Sequence, residues 1–464
     1  MEVLILVGAL VAVAWGALLL WRGGPLAGCA MVLAAGTCFG HAFYHLATGA
    51  IPLTADRALW ALVMAQFVVW YRFGWVNHRS WRTADVVTGL FFAWLLVSCL
   101  THDWRDSGYQ ALARLVFFYV MPLGLYVVAS RSLQPRQGTA VAQVCLALFG
   151  MYLAFTAIAE TRQWTALVLP EYIASPEFEE FLGRGRGPFL NPVANGFAMN
   201  ICLCAILLLW PSSHLGRLVA MAIVGLLAIG IYYTLTRSVW MGTALSLTIV
   251  GAEIIPRRWR LPLIGGVVAL GAVLVVVQWN NLVAFKRDKG LSSEETEASV
   301  KLRPVLARIA WNMFVDRPLV GCGFGQYARE NVDYLNDRTT DLPLAVGRPF
   351  VQHNVWLNVL VETGLVGLTL FCAMLWLWGR DAWRVFRSPG VPLRVRRQAL
   401  LFVAILGAYL PNGMFHDMAL VPMVNMFFFF FAGWTEGLSI PTPQPQTGSR
   451  RLPNEESPRM LQPV

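Results

Sequence analysis

Between Arg348 and Gly367 the chain reads RPFVQHNVWLNVLVETGLVG, placing a His-Asn pair at 353–354 ahead of Asn358 and Glu362. Asn354, Asn358 and Glu362 recur every four residues, so on a helix they share one stripe of a segment otherwise apolar enough to enter a bilayer. Polar groups in lipid are costly and usually functional. His353, at the water boundary, titrates near neutral pH and suits the removal of a proton from a hydroxyl. Arginines supply complementary chemistry: Arg184 and Arg186 in GRGRGPFLNP, Arg237 in TLTRSVW, and Arg303 and Arg308 in RPVLARIAWNMFV. A guanidinium holds phosphate oxygens bidentately and stays charged in a partly dry site.

Three helix starts stand beside these arginines. One opens at Asn191-Pro192, with Asn as N-cap, Pro at the first helical position and Asn195 one turn inside. The second opens at Thr236-Arg237-Ser238 and the third at His353-Asn354. Each would aim free N–H groups and a positive dipole end at the outer face, an arrangement that favours phosphate. The residues alone therefore point to a pyrophosphate held at the membrane surface. Its candidate ligands are Arg237, Arg308, Arg303, Arg184, Arg186, Asn191, Asn195 and Asn354, with His353 as the base.

Other polar residues read more plainly. Arg57 and Arg105 suit snorkelling anchors at a membrane edge. His41 and His45, one turn apart, have no third metal ligand nearby and suit helix packing. Glu294, Glu295 and Glu297 form a solvated run, and Gly321, Gly323 and Gly325 in DRPLVGCGFGQY suit a tight turn with no strand-to-helix frame to make it a nucleotide loop. No HExxH or CxxC occurs, and neither metal nor cofactor is implied.

The elements that must position these groups are membrane helices. The chain is 57% hydrophobic and 13% charged, with a mean hydropathy of +0.57. It carries about thirteen apolar runs, each long enough for a hydrocarbon core of roughly 30 Å. Their spans are 2–21, 25–47, 57–74, 84–101, 111–130, 138–159, 193–211, 214–235, 238–255, 261–279, 354–378, 397–412 and 419–437. The fold expected is an all-α polytopic membrane protein of about 12–13 transmembrane helices with a large periplasmic loop containing short helices. Its segments are N-terminal membrane helices (1–159), a periplasmic loop (160–192), further membrane helices (193–279), the large loop (280–353), C-terminal membrane helices (354–437) and a disordered cytoplasmic tail (438–464). Within the large loop, apolar residues 305, 306, 309 and 313 predict an amphipathic helix that lies on the membrane or packs over the site.

A net charge of +10 does not point to nucleic acid, because the arginines sit in alternate short connections and set topology instead. The Arg-rich set, ending with Arg380 to Arg397, is then cytoplasmic, the N-terminus faces out and the tail faces in. Seven cysteines fall within apolar runs and only Cys322 in a loop, so no disulfide framework is implied.

Four pieces in order, GPFLNPVANGFAMN, TLTRSVWMG, ARIAWNMFVDRPLVGCGFGQY and HNVWLNVLVETGLVG, resemble the O-antigen ligase and polymerase superfamily of bacterial envelope glycosyltransferases. The resemblance covers about Gly183 to Gly367. It implies an inner-membrane enzyme that takes a glycan from undecaprenyl pyrophosphate at the periplasmic face. The acceptor would be lipid A-core, a growing polysaccharide or a protein hydroxyl, with no metal. By motif, the family's essential arginines fall on Arg237 and Arg308, with Arg303 a substitute for the latter, and its essential histidine on His353. Thirteen spans with an outward N-terminus depart from the family's usual twelve with an inward one.

Two readings from other classes compete, a lipid-linked oligosaccharide flippase and a non-catalytic scaffold of an exopolysaccharide assembly. Carriers place charges at mid-membrane, whereas here the polar groups gather at the outer edge, which favours an enzyme.

Overall fold

A computed structural model of the chain describes residues 2–40, 43, 53–76, 79–105, 110–132, 138–211, 213–256, 258–260, 262, 265–266, 293–336, 339–348, 350 and 352–438. The long elements are all helical: α1 (Glu2–Cys38), α2 (Ala55–Arg72), α3 (Thr83–Leu100), α4 (Ala111–Arg131), α5 (Gly138–Thr161), α6 (Pro192–Leu208), α7 (His214–Tyr233), α8 (Arg237–Ile254), α9 (Ser293–Asp316), α10 (Val355–Arg387), α11 (Leu393–Phe415) and α12 (Pro422–Leu438). The protein is an all-α polytopic membrane protein. Among the described residues α3, α4, α5, α7, α10 and α11 are each long and apolar enough to cross a bilayer, and α6 is apolar but shorter. Of the expected span 261–279 only residues 262, 265 and 266 are described, and the tail after Leu438 lies outside the described residues.

Two helices are buried nearly all round, as a helix apolar on every side must be. These are α6 and α12, the latter through the phenylalanine run 427–431. α12 packs along α4, α8 along α11, and α10 against both α11 and α3. The outward faces of α2, α3 and α7 keep large apolar side chains exposed, as lipid-facing surfaces do.

Several ends differ from the apolar runs, for local reasons. The runs 2–21 and 25–47 are joined in α1 across Gly24, whose φ of 68° precedes Pro25, and the second half stops at Cys38. α4 contains a π-helical turn at Val116–Val120. Pro122 has no N–H to give the Phe118 carbonyl, and the Asn425 amide bonds that carbonyl instead, at 2.9 Å. α10 runs to Arg387 rather than 378 and is broken at Gly364 (φ 68°, ψ −170°).

The break in α10 organises the large loop. Residues 318–323 lie along it: Cys322 N–H donates to Val361 O (2.9 Å) and Gly323 N–H to Glu362 O (3.0 Å). In return, Leu365 N–H donates to Pro318 O (2.8 Å) and Val366 N–H to Leu319 O (3.3 Å). A Cβ at Gly321 would sit 2.5 Å from Val361 O, and one at Gly364 would overlap the Leu319 carbonyl. α9 packs over the same place: Val305, Ile309 and Met313 are buried with Cys322, Leu344 and Val361. The expected amphipathic helix thus rests its apolar face on protein.

Contacts sort the connections onto two faces. On one, Phe324, Gln326 and Arg329 bond Ser98 and Asp103 at the end of α3, Asn354 bonds Met414 at the end of α11, and Gly185 bonds Tyr233 at the end of α7. On the other, Arg79 pairs with Asp85 and with Glu436 near the end of α12, and Arg131 covers the Trp81 ring. The chain's C-terminal helix thus ends opposite the large loop.

Gly364→Ala should destabilise the protein by about 1–3 kcal/mol from backbone strain alone, with the carbonyl overlap added. Gly89→Ala, in an α3 position with open space around it, should be neutral or stabilising. Thermal unfolding of the detergent-solubilised protein checks both; an unchanged midpoint for Gly364→Ala would count against the break.

Candidate functional site

Of the three helix starts, two consume their own side chain. The Asn191 carbonyl oxygen accepts from the N–H groups of Val193 (2.9 Å) and Ala194 (3.1 Å). Asn354 accepts from Leu357 N–H (3.0 Å) and donates to Met414 O (2.9 Å). Both are N-caps satisfying their own helices. α8 differs. Thr236 gives it no side-chain cap, because its hydroxyl donates to Thr234 O (2.8 Å) and accepts from Arg184 Nη2 (2.5 Å). Thr236 thus gives the first turn of α8 no side-chain cap, and half-buried Arg237 is the first residue of that turn.

The arginines of the 160–192 segment are structural. Arg184 donates to Thr234 O (3.3 Å) and Thr236 Oγ1, and lies over the Phe181 ring, so it braces the turn that presents Arg237. Arg186 is wholly buried. It pairs with Glu160 at 2.8 Å and donates to the carbonyls of Phe178, Glu180 and Ile173. Glu160 also accepts the backbone N–H groups of Arg186 and Gly187, both at 3.0 Å. Both arginines, expected as phosphate ligands, thus engage protein carbonyl, hydroxyl and carboxylate groups in this structure. Asn195 is fully buried and donates to Gly185 O (2.9 Å), while its carbonyl oxygen has no hydrogen-bond partner. It too anchors this segment.

His353 and Arg303 come together. His353 is exposed just before α10, and its pKa is lowered from the ordinary value by desolvation first and by the Arg303 charge second. Arg303 lies over the Phe415 ring, 5.6 Å from its centroid, at the end of α11. That end touches both helix starts: Gly413 faces Val355 and Trp356 of α10, and Gly242 of α8 faces Asn412 and Ala408. Arg308 sits farther along α9, donating to Thr339 Oγ1 at 3.1 Å. Of the two candidate arginines on α9, it is Arg303 whose charge acts on the histidine.

The polar stripe of α10 continues inward as a buried network. Gln352 donates to Asn358 (3.1 Å), and Asn358 donates to Asp417 (2.6 Å) in the connection between α11 and α12. Glu362 pairs with Arg114 of α4 at 3.2 Å. Burial pushes Asp417 up to about 7, and nearby Glu362 adds to the rise against the pull of Arg114. Asn358 and Glu362 thus support the turn that carries His353.

Arg114, Asp417 and Ser238 were not singled out from the sequence. Arg114 is an isolated charge in an apolar run and Asp417 stands between two such runs, and their membership of one network depends on helix pairing. Ser238, 3% exposed and in the first turn of α8, has a hydroxyl with no hydrogen-bond partner, and the Asn412 carbonyl oxygen is likewise buried without one. The signal was its place directly after Arg237. Arg57 and Arg105 lie over Phe117 (3.6 Å) and Trp104 (4.6 Å), as edge anchors do. Among the described residues no three His, Cys, Asp or Glu side chains converge to hold a metal ion.

Residues 222–372 match the family model described as O-antigen ligase. The matched stretch runs from α7 into the inner half of α10 and includes Arg237, Arg303, Arg308 and His353. Over it the chain is similar to the O-antigen ligase and polymerase superfamily, as the motifs led us to expect, and the match supports a glycosyltransferase of that type. No curated protein matches the chain.

Two outcomes test this division of labour. Arg186→Ala leaves Glu160 buried without its cation and should cost about 3–5 kcal/mol, read as lost folded protein in the membrane, whereas Arg237→Ala should leave the protein level unchanged. Asp417 is raised in the folded state, so its contribution to stability is full below about 4 and lost as pH rises through about 7. In Asp417→Asn the unfolding midpoint should vary less with pH across that window; an identical profile would remove Asp417 as the titrating group.

Proposed function

We propose that the protein transfers a glycan from undecaprenyl pyrophosphate to an acceptor hydroxyl at the periplasmic face of the bacterial inner membrane. The observation that carries this reading is the pairing of an uncapped, arginine-bearing helix start with a histidine whose proton affinity is lowered, both against the end of α11. The Arg-rich connections on the opposite face agree with a cytoplasmic placement there. The acceptor is lipid A-core, a polysaccharide end or a protein hydroxyl.

In the reaction the acceptor oxygen attacks the anomeric carbon and forms the new glycosidic bond. The bond from that carbon to the pyrophosphate oxygen breaks, and its electron pair leaves with undecaprenyl pyrophosphate. The acceptor proton passes to the imidazole of His353. Negative charge grows on the pyrophosphate, where Arg237 and the first-turn N–H groups of α8 meet it, with the Ser238 hydroxyl as an added donor. Burial and then the Arg303 charge disfavour the protonated imidazole of His353, and Arg303 adds positive charge on the donor side; Arg308, farther along α9, contributes to the field over the loop. Arg184 holds the α8 turn in place.

His353→Ala should lower transfer by about 10²–10⁴-fold with the protein still in the membrane. A deletion strain complemented with each variant, probed for lipopolysaccharide ladder and exopolysaccharide, reads it; normal ladders with that variant would refute the base. Arg237→Lys should also fail, since a point charge does not replace a bidentate fork. Arg303→Ala removes a positive neighbour, so the His353 pKa rises toward its ordinary value. The acid limb of the pH–rate profile should then move to higher pH, and a shift to lower pH would contradict the pairing.

A further inference from the structure

The segment docked into the α10 break lies below the surface of the bilayer by two separate measures. Along α10, Gly364 is sixteen residues before Arg380, roughly 24 Å at about 1.5 Å per residue. Along α3, Ser98, which accepts from Phe324 N–H at 3.0 Å, is fifteen residues beyond Thr83, roughly 23 Å. Thr83 and Arg380 both mark the arginine-rich face, and the hydrocarbon core is roughly 30 Å thick. Both contacts therefore fall several ångströms inside the core's other boundary. The Trp94 indole, one turn deeper on α3, bonds Thr363 O at 3.0 Å and ties the two helices at that level.

What the segment shows at that depth is apolar. Leu319 is 62% exposed and Val320 50%, next to the exposed Leu365 and Val366 of α10. Trp311 and Val315, one turn apart on α9 just before this segment in the chain, are also exposed. The flanking cation, Arg317, is held by Glu330 at 3.1 Å. The turn closes through Gly321 N–H to Arg317 O (3.0 Å), and its inner side bonds the broken α10 backbone. Non-helical backbone at membrane depth is tolerated only when protein satisfies it in this way.

We infer that residues 318–320 form a shallow re-entrant wedge of the large loop. Leu319 and Val320 rest among the acyl chains of the outer-side leaflet, and Trp311 and Val315 lie at the interface above them. The partner is membrane lipid, because the strip is continuous with the lipid-facing side of α10. An apolar surface of this kind binds by inserting about 5–10 Å. This inference stands independently of the glycan-transfer reading.

The test uses full-length protein with Cys38, Cys145 and Cys372, the native cysteines that are not buried, replaced by serine. Leu319→Cys, Val320→Cys and, as an exposed loop reference, Asp341→Cys are each labelled with an environment-sensitive fluorophore and reconstituted into phospholipid vesicles. Nitroxide on carbon 5 of the lipid acyl chain should quench labels at 319 and 320 several-fold more than at 341, and aqueous iodide should do the reverse. Labels at 319 and 320 that behave like 341 in both assays would overturn the wedge. Val315→Cys gives a third reading, intermediate between them, should either deeper variant fail to fold.

Discussion

A backbone amide or carbonyl inside a bilayer has no water to turn to, and this constraint explains the least regular parts of the molecule. At Gly364 the α10 ladder is interrupted, and segment 318–323 supplies donors and acceptors to the freed groups. Once that exchange is made, the rest of the large loop has a fixed place: α9 closes over the docked turn, and Phe324 inserts between Tyr119 and the end of α3. The same rule operates at Pro122, where an asparagine from a different helix answers the orphaned carbonyl.

Charge is handled as strictly as backbone polarity. Among the described residues the buried ion pairs stand at the two faces rather than at mid-membrane: Arg79 with Asp85 and Glu436 at one, Arg186 with Glu160 and Arg114 with Glu362 at the other. None is free to follow a substrate through the bilayer, which agrees better with an enzyme at one surface than with a carrier. A buried pair adds little net stability but is costly to break, so these contacts act mainly as register marks.

Much of this was legible from the sequence. Apolar run length gave the helices, Asn191 and Asn354 announced their caps, and residues 305, 306, 309 and 313 gave the buried side of α9, because these signals are local. What was not legible depended on partners. The glycines of DRPLVGCGFGQY read as an isolated tight turn because their counterpart, Gly364, lies about forty residues away in a helix where a glycine carries no local alarm. Arg184 and Arg186 looked like phosphate ligands by residue type alone; their carbonyl, hydroxyl and carboxylate partners are scattered from 160 to 236. Conversely, the Thr236 start of α8 read like the other two, and the diversion of its hydroxyl to Thr234 and Arg184 depends on partners that no local pattern shows.

The residue at 364 also resets phase. In a continuous α-helix each side chain is turned about 100° from the last, so a stripe begun at Asn354 would dictate which residues face lipid thirty positions later. Because Gly364 leaves the helical region, the outer half of α10, with its inward-facing Asn358 and Glu362, and the inner half, with lipid-facing Cys372 and Trp376, keep separate azimuths. The docked segment 318–323, bonded on both sides of Gly364, therefore sets the angle between the two halves in place of a continuous helical ladder.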